Sequence, residues 1–86
     1  MQDTTSYIVV ISPGLSGAEK RFFDIFCGLL HKGKRINLIV PSMLGEILRA
    51  EYPERDVFDS VIEIRMEHWS RTTFVRQLRA LLKSIE

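Results

Sequence analysis

Three apolar runs alternate with three stretches of helical periodicity along this chain. Tyr7 to Ile11 reads YIVVI, apolar at every position and rich in β-branched residues. A strand with one wet face would alternate, so this run predicts a strand buried inside a sheet. Pro13 and Gly14 end it, and the loop Gly14-Leu15-Ser16-Gly17 follows. Phe22, Phe23, Phe26, Leu29 and Leu30 then recur at helical spacing and predict one apolar stripe, with Lys20, Asp24 and Lys32 on the other side. Ser16 and Glu19 form a Ser-x-x-Glu capping box, which makes Ser16 the expected N-cap. Gly33 is the expected helix stop.

Ile36, Leu38, Ile39 and Val40 predict a second strand, broken by Pro41 and Ser42. Leu44, Ile47 and Leu48 give a short amphipathic helix with Ser42 as its expected cap. That helix should end near Tyr52, because the residue before Pro53 disfavours helical backbone. Glu51, Glu54, Asp56 and Asp59 surround Arg55, which reads as a solvated acidic connection. Val61 to Met66 alternates Ile62, Ile64 and Met66 with Glu63 and Arg65, the pattern of a half-exposed edge strand. A last helix is expected from about Thr72 to Ile85, with Phe74, Val75, Leu78, Leu81, Leu82 and Ile85 as its stripe. Arg71, Arg76, Arg79 and Lys83 decorate the rest.

The order β-α-β-α-β-α predicts an α/β fold with a parallel sheet. The first strand is the most apolar and the third alternates, which fits spatial order 3-2-1. The expected architecture is a three-layer half-Rossmann βαβαβα unit, half of a doubly wound fold. Residues 1–86 read as one domain, with no repeat and no second unit. This leaves strand one with an open edge, which predicts a homo-oligomer through that edge or a cover by the chain's own termini.

Composition removes several function classes. Lys and Arg number 12 against 11 Asp and Glu, a balance that argues against a nucleic-acid binder. Cys27 is the one cysteine, so neither a disulfide framework nor a cysteine-rich zinc site is available. No apolar run approaches the ~20 residues of a membrane span. The opening MQDTTS lacks a basic leader, so no signal peptide is expected and the expected setting is cytoplasmic. The basic last helix leaves a membrane contact open, although a solvated face accounts for it as well.

Candidate chemistry concentrates in the loop after strand one. In open α/β sheets ligands bind beyond the carboxyl ends of the strands. Gly14 and Gly17 let the backbone approach a ligand, and the following helix offers unpaired N–H groups. A turn after Pro13 and a helix cap would account for the same residues. The dinucleotide fingerprint Gly-x-Gly-x-x-Gly is absent, as is the P-loop, and Pro41-Ser42 stands where a ribose-binding acid would end strand two. The sequence therefore calls for no cofactor. His68 follows strand three and could reach the same rim, with Trp69 as an apolar wall. His31 reads as a solvated histidine at a helix end, and Cys27 as packing. No histidine pair has metal-ligand spacing.

The string VVISPGLSGAEKRFFDIFCGLLHKGKRINLIVPS resembles the opening of the N-terminal domain of retaining, nucleotide-sugar-dependent GT-B glycosyltransferases. In that family a first strand runs into a Gly-Gly-Ala-Glu loop, a basic-aromatic helix, a glycine and a second strand. The matching residues are Ser16-Gly17-Ala18-Glu19, then Lys20, Arg21 and Phe22, then Gly33 and Ile36 to Val40. Serine replaces the usual glycine at position 16, which keeps the residue small but narrows the approach to the backbone. The resemblance covers residues 7 to 42, and beyond them only the order of elements agrees. It implies the acceptor-side segment of a sugar transferase, inactive alone, with the nucleotide-sugar and acceptor as partners of the parent. Gly17 would border the cleft near the donor diphosphate, with Gly14, Ser16 and Ala18 beside it, and Glu19 would contact acceptor or loop. The alternative is a small α/β interaction module that homodimerises through strand one.

Overall fold

The computed structural model describes residues 4–85. Met1 to Asp3, part of the opening read above for a leader, and Glu86 lie outside the described residues. The fold is α/β, with a three-stranded parallel sheet and three α-helices. The elements are β1 (Ser6–Val9), α1 (Gly17–His31), β2 (Ile36–Pro41), α2 (Ser42–Glu51), β3 (Val61–Ile64) and α3 (Arg71–Ile85), with a short 3-10 turn at Phe58–Ser60. β2 lies between β1 and β3, with Ile8 beside Leu38 and Ile39 beside Ile62.

Strand alternation divides the core in two. Ile36, Leu38 and Val40 of β2 point to one face, where Phe23 and Phe26 of α1 and Leu44 and Leu48 of α2 bury against them. Ile39 points to the opposite face, where it meets Ile64 of β3 and Phe74 of α3. Tyr7, Val9, Ile62 and Met66 close around that second, smaller core.

α1 ends in a Schellman motif. The Gly33 N–H donates to the Leu30 carbonyl at 2.9 Å and the Lys34 N–H to the Leu29 carbonyl at 3.0 Å. Gly33 holds φ at +82°, the left-handed conformation that favours glycine, so its place after the helix is a backbone requirement.

Four expectations need correction. Phe22 does not share the buried stripe of α1; it is 46 % exposed, and Cys27 takes its place beside Phe23 and Phe26. Ser42 is not the cap of α2. Pro41 occupies the N-cap position, and the Ser42 hydroxyl instead accepts the Met66 N–H at 3.0 Å and donates to the Met66 carbonyl at 3.2 Å. The acidic connection is not simply solvated: Tyr52, Val57 and Phe58 pack on the larger core. Arg49 stands over the Phe58 ring at 4.9 Å and Arg55 over the Tyr52 ring at 5.4 Å. β1 and β3 are also shorter than the apolar runs that announce them, since Ile11, Arg65 and Met66 fall outside the strands.

Gly45 has a packing reason that the chain pattern does not announce. A side chain there would collide with the arm of Glu63, which lies across α2 and receives Arg49 Nε and Nη2 on one carboxylate oxygen, both at 2.9 Å.

The α3 layer rests on one fully buried side chain, Phe74, while Leu82 is 37 % exposed on the same helix. Phe74→Ala is expected to cost about 3–5 kcal/mol in urea unfolding, and Leu82→Ala about 1 kcal/mol or less. Equal losses at the two positions would mean that α3 is not anchored through Phe74.

Candidate functional site

β1 delivers the chain to the carboxyl end of the sheet. Past the strand, the Val10 N–H still donates to the Ile39 carbonyl at 2.9 Å, and Val10 is buried. Leu15 packs against the α1–α2 core and pins the loop from below. The Ser12 hydroxyl donates to the Gly14 carbonyl at 3.3 Å. Gly17 then opens α1, whose first helical bond runs from the Lys20 N–H to the Ser16 carbonyl at 3.0 Å.

Ser16, Gly17 and Ala18 are exposed, and Gly14 is half-buried. Neither Gly14 nor Gly17 adopts positive φ, and a Cβ at either would meet nothing within 4 Å. Backbone strain and crowding therefore do not account for the two glycines. Their effect is to leave the space above the loop empty, where the first-turn amides of α1 lack intrahelical acceptors.

Glu19 sets the electrostatics of this turn. Its carboxylate accepts the Ser16 N–H at 2.8 Å, and the Ser16 hydroxyl donates to the same oxygen. These bonds, the hydroxyl first and the backbone N–H second, hold its pKa at about 2, down from 4.5. At neutral pH Glu19 is an anion bound to its own loop. Of the two contacts the resemblance implies for Glu19, the structure contains the one to the loop. The charge also satisfies part of the helix terminus that a ligand anion would otherwise claim.

His68 stands elsewhere on the rim. It is exposed in the segment between β3 and α3, and β2 runs between β3 and β1. His68 and the glycine loop therefore follow strands on opposite sides of β2. Trp69, beside His68, is half-buried. It packs on Phe74, ring centroids 5.8 Å apart, and belongs to the α3 core.

Sequence reasoning missed a second rim feature. A cleft of about 620 Å³ lies over the ends of β2 and β3, lined by Ser42, Glu46, Glu63, Arg65, Met66 and Glu67. The polar residues alternating with the apolar ones, Glu63 in β3 and Arg65 just beyond it, were its signal. Its acidic lining repels anions, and among the described residues no group of His, Cys, Asp and Glu is arranged to hold a metal.

A cleft of about 560 Å³ lies along α1, where Asp24, Cys27 and His31 face Arg55 and Val57. Cys27 is buried there, and burial pushes its thiol up against the opposing pull of Arg55. A thiol kept protonated is packing rather than a nucleophile. Arg55 reaches to 3.8 Å from the Asp24 carboxylate, a pair exposed to solvent.

The Glu19 pKa has a definite pH consequence. The folded value lies below the unfolded one, so the cap contributes its full stabilisation above about pH 4.5 and loses it as pH falls toward about 2. A carboxyl-detected NMR titration should place the Glu19 midpoint near 2, and Ser16→Ala should raise it toward the ordinary glutamate range. A midpoint unchanged by Ser16→Ala would remove the cap as its cause.

Comparison with models of protein families, with curated proteins and with solved structures finds no match to this chain.

Proposed function

We propose that this chain is the first half of the acceptor-side domain of a GT-B glycosyltransferase, with the loop from Gly14 to Glu19 bordering the cleft that receives the donor diphosphate. In this reading the sheet is one half of a Rossmann-like fold, in the order 3-2-1, and the parent transfers a sugar from a nucleotide-sugar to an acceptor. Gly17 and Ala18 offer amides to the diphosphate, Gly14 and Ser16 shape the approach, and His68 faces the acceptor side of the rim. Glu19 holds the loop in shape. A reducing, cytoplasmic setting suits the single buried thiol of Cys27.

The observation that carries the proposal is the open space over Gly14 and Gly17 at the carboxyl rim, left by two glycines that neither φ nor packing requires. The sequence resemblance over residues 7 to 42 says which chemistry that space would serve. Departure of a nucleoside diphosphate needs cationic stabilisation. The loop has an anion in its first turn instead, so this segment binds without turning substrate over.

Association supplies a second reading, favoured by the outer edge of β1. The Ser6 and Val10 N–H groups point into the sheet, to the carbonyls of Arg35 and Ile39. Alternation turns the N–H groups of Tyr7 and Val9 outward, where no described strand pairs with them. A small module that homodimerises through this edge would work by assembly alone.

Millimolar nucleoside diphosphate sugars added to the isotopically labelled chain should shift the amides of Gly14 to Glu19, with no transfer product by mass spectrometry. Gly17→Val should abolish the shifts and leave the circular dichroism unchanged, since open space surrounds that position. Silent loop amides would defeat the sugar-transferase reading, and efficient transfer would defeat the claim that the segment is inactive alone.

A further inference from the structure

α1 carries two apolar faces. Phe23, Phe26 and Cys27 bury against the sheet. Ala18, Phe22 and Ile25 form a second ridge that runs on to Leu29 at the margin of the larger core, in steps of four, three and four residues, the spacing of a helix–helix seam. Phe22 is 46 % and Ile25 47 % exposed, so the ridge lacks the partner its spacing calls for.

The ridge lies on the side of β1. The opposite flank of α1, through Asp24 and His31, lines the cleft with Arg55 and Val57. Leu29, at the end of the ridge, lines a surface cleft with Thr4 and Ser6, where β1 begins. The exposed seam and the unpaired edge of β1 therefore border one another. β1 reads SYIV, without a charge or proline to discourage pairing.

We infer that the outer edge of β1 and the Ala18–Phe22–Ile25–Leu29 ridge of α1 form a single interface, occupied in the 86-residue chain by a second copy. The inference rests on the second reading above and adds to it the helical half of the contact. One two-fold axis normal to the sheet satisfies both halves. It sets β1 antiparallel to its mate, forming one continuous six-stranded sheet, and lays α1 antiparallel to its mate on the same face. The buried side of α1 shares one core with Ile8 and Val10 of β1 and with Ile36 and Leu38 of β2. An antiparallel ridge centred between Phe22 and Ile25 sets Phe22 against the partner's Ile25 and Ala18 against the partner's Leu29, a large residue facing a smaller one each time. A self-complementary patch of this kind closes as a dimer and does not propagate.

Sedimentation equilibrium of the full chain, combined with amide hydrogen exchange, tests the inference. The expected result is a dimer in which the Tyr7 and Val9 amides are protected. Phe22→Ser with Ile25→Ser should raise the dimer dissociation constant about 100-fold or more and release that protection, with helical content unchanged. A monomer at high concentration would overturn both the inference and the reading beneath it, as would a dimer whose Tyr7 and Val9 amides exchange freely. A protected dimer indifferent to the double substitution would leave association through β1 standing and overturn the shared interface alone.

Discussion

β2 is paired on both edges and covered on both faces, and the other elements are arranged by what its side chains require. Leu38 and Val40 look toward α1 and α2, while Ile39 looks toward α3. A shift of one residue in its register would exchange the two cores, delivering a single isoleucine to a space built for three aliphatic side chains. The parallel pairing on each side therefore also fixes which helices lie on which face. Pro41 ends the strand and turns directly into α2 as its N-cap. That turn sets the Ser42 hydroxyl where it can hold the backbone of Met66 beyond β3.

Much of this was legible in the chain because side-chain patterns report on faces. YIVVI announced a strand covered above and below; Tyr7, Ile8 and Val9 are each half-buried, Ile8 against the larger core and Tyr7 and Val9 against the smaller one. The same pattern carries little about edges, which are backbone groups common to every residue. The interior position that continuous apolarity implies belongs to β2, which has strands on either side, whereas β1 has one.

Adjacent phenylalanines raised a related ambiguity. Phe22 and Phe23 are about 100° apart on a helix, so they fit one wide stripe or two narrow ones. The choice between them depends on where the sheet ends. Ser42 and Gly45 were illegible for a different reason. Their partners, Met66 and Glu63, come from β3 and the segment after it, and no local spacing encodes such a contact. In the candidate site, the Ser16–Glu19 cap was written in the sequence, whereas the separation of His68 from the glycine loop by β2 needed the sheet.

The rim and the edge are unfinished in different ways. Water satisfies the free amides over Gly14 and Gly17 at little cost, so the loop is stable whether or not a ligand ever arrives. Its openness permits chemistry without demanding it. Phe22 and Ile25 are another matter, because apolar surface in water carries a standing penalty of ~25 cal/mol for every Å². A chain of this size buries only about 60 % or slightly more of its unfolded surface and has little stability to spare. The sheet edge beside that ridge repeats the demand in hydrogen bonds. Free energy thus presses harder for a protein neighbour at β1 than for a ligand at the rim, and completing the sheet would leave the glycine loop no longer at its margin but near its middle, where open α/β sheets place their ligands.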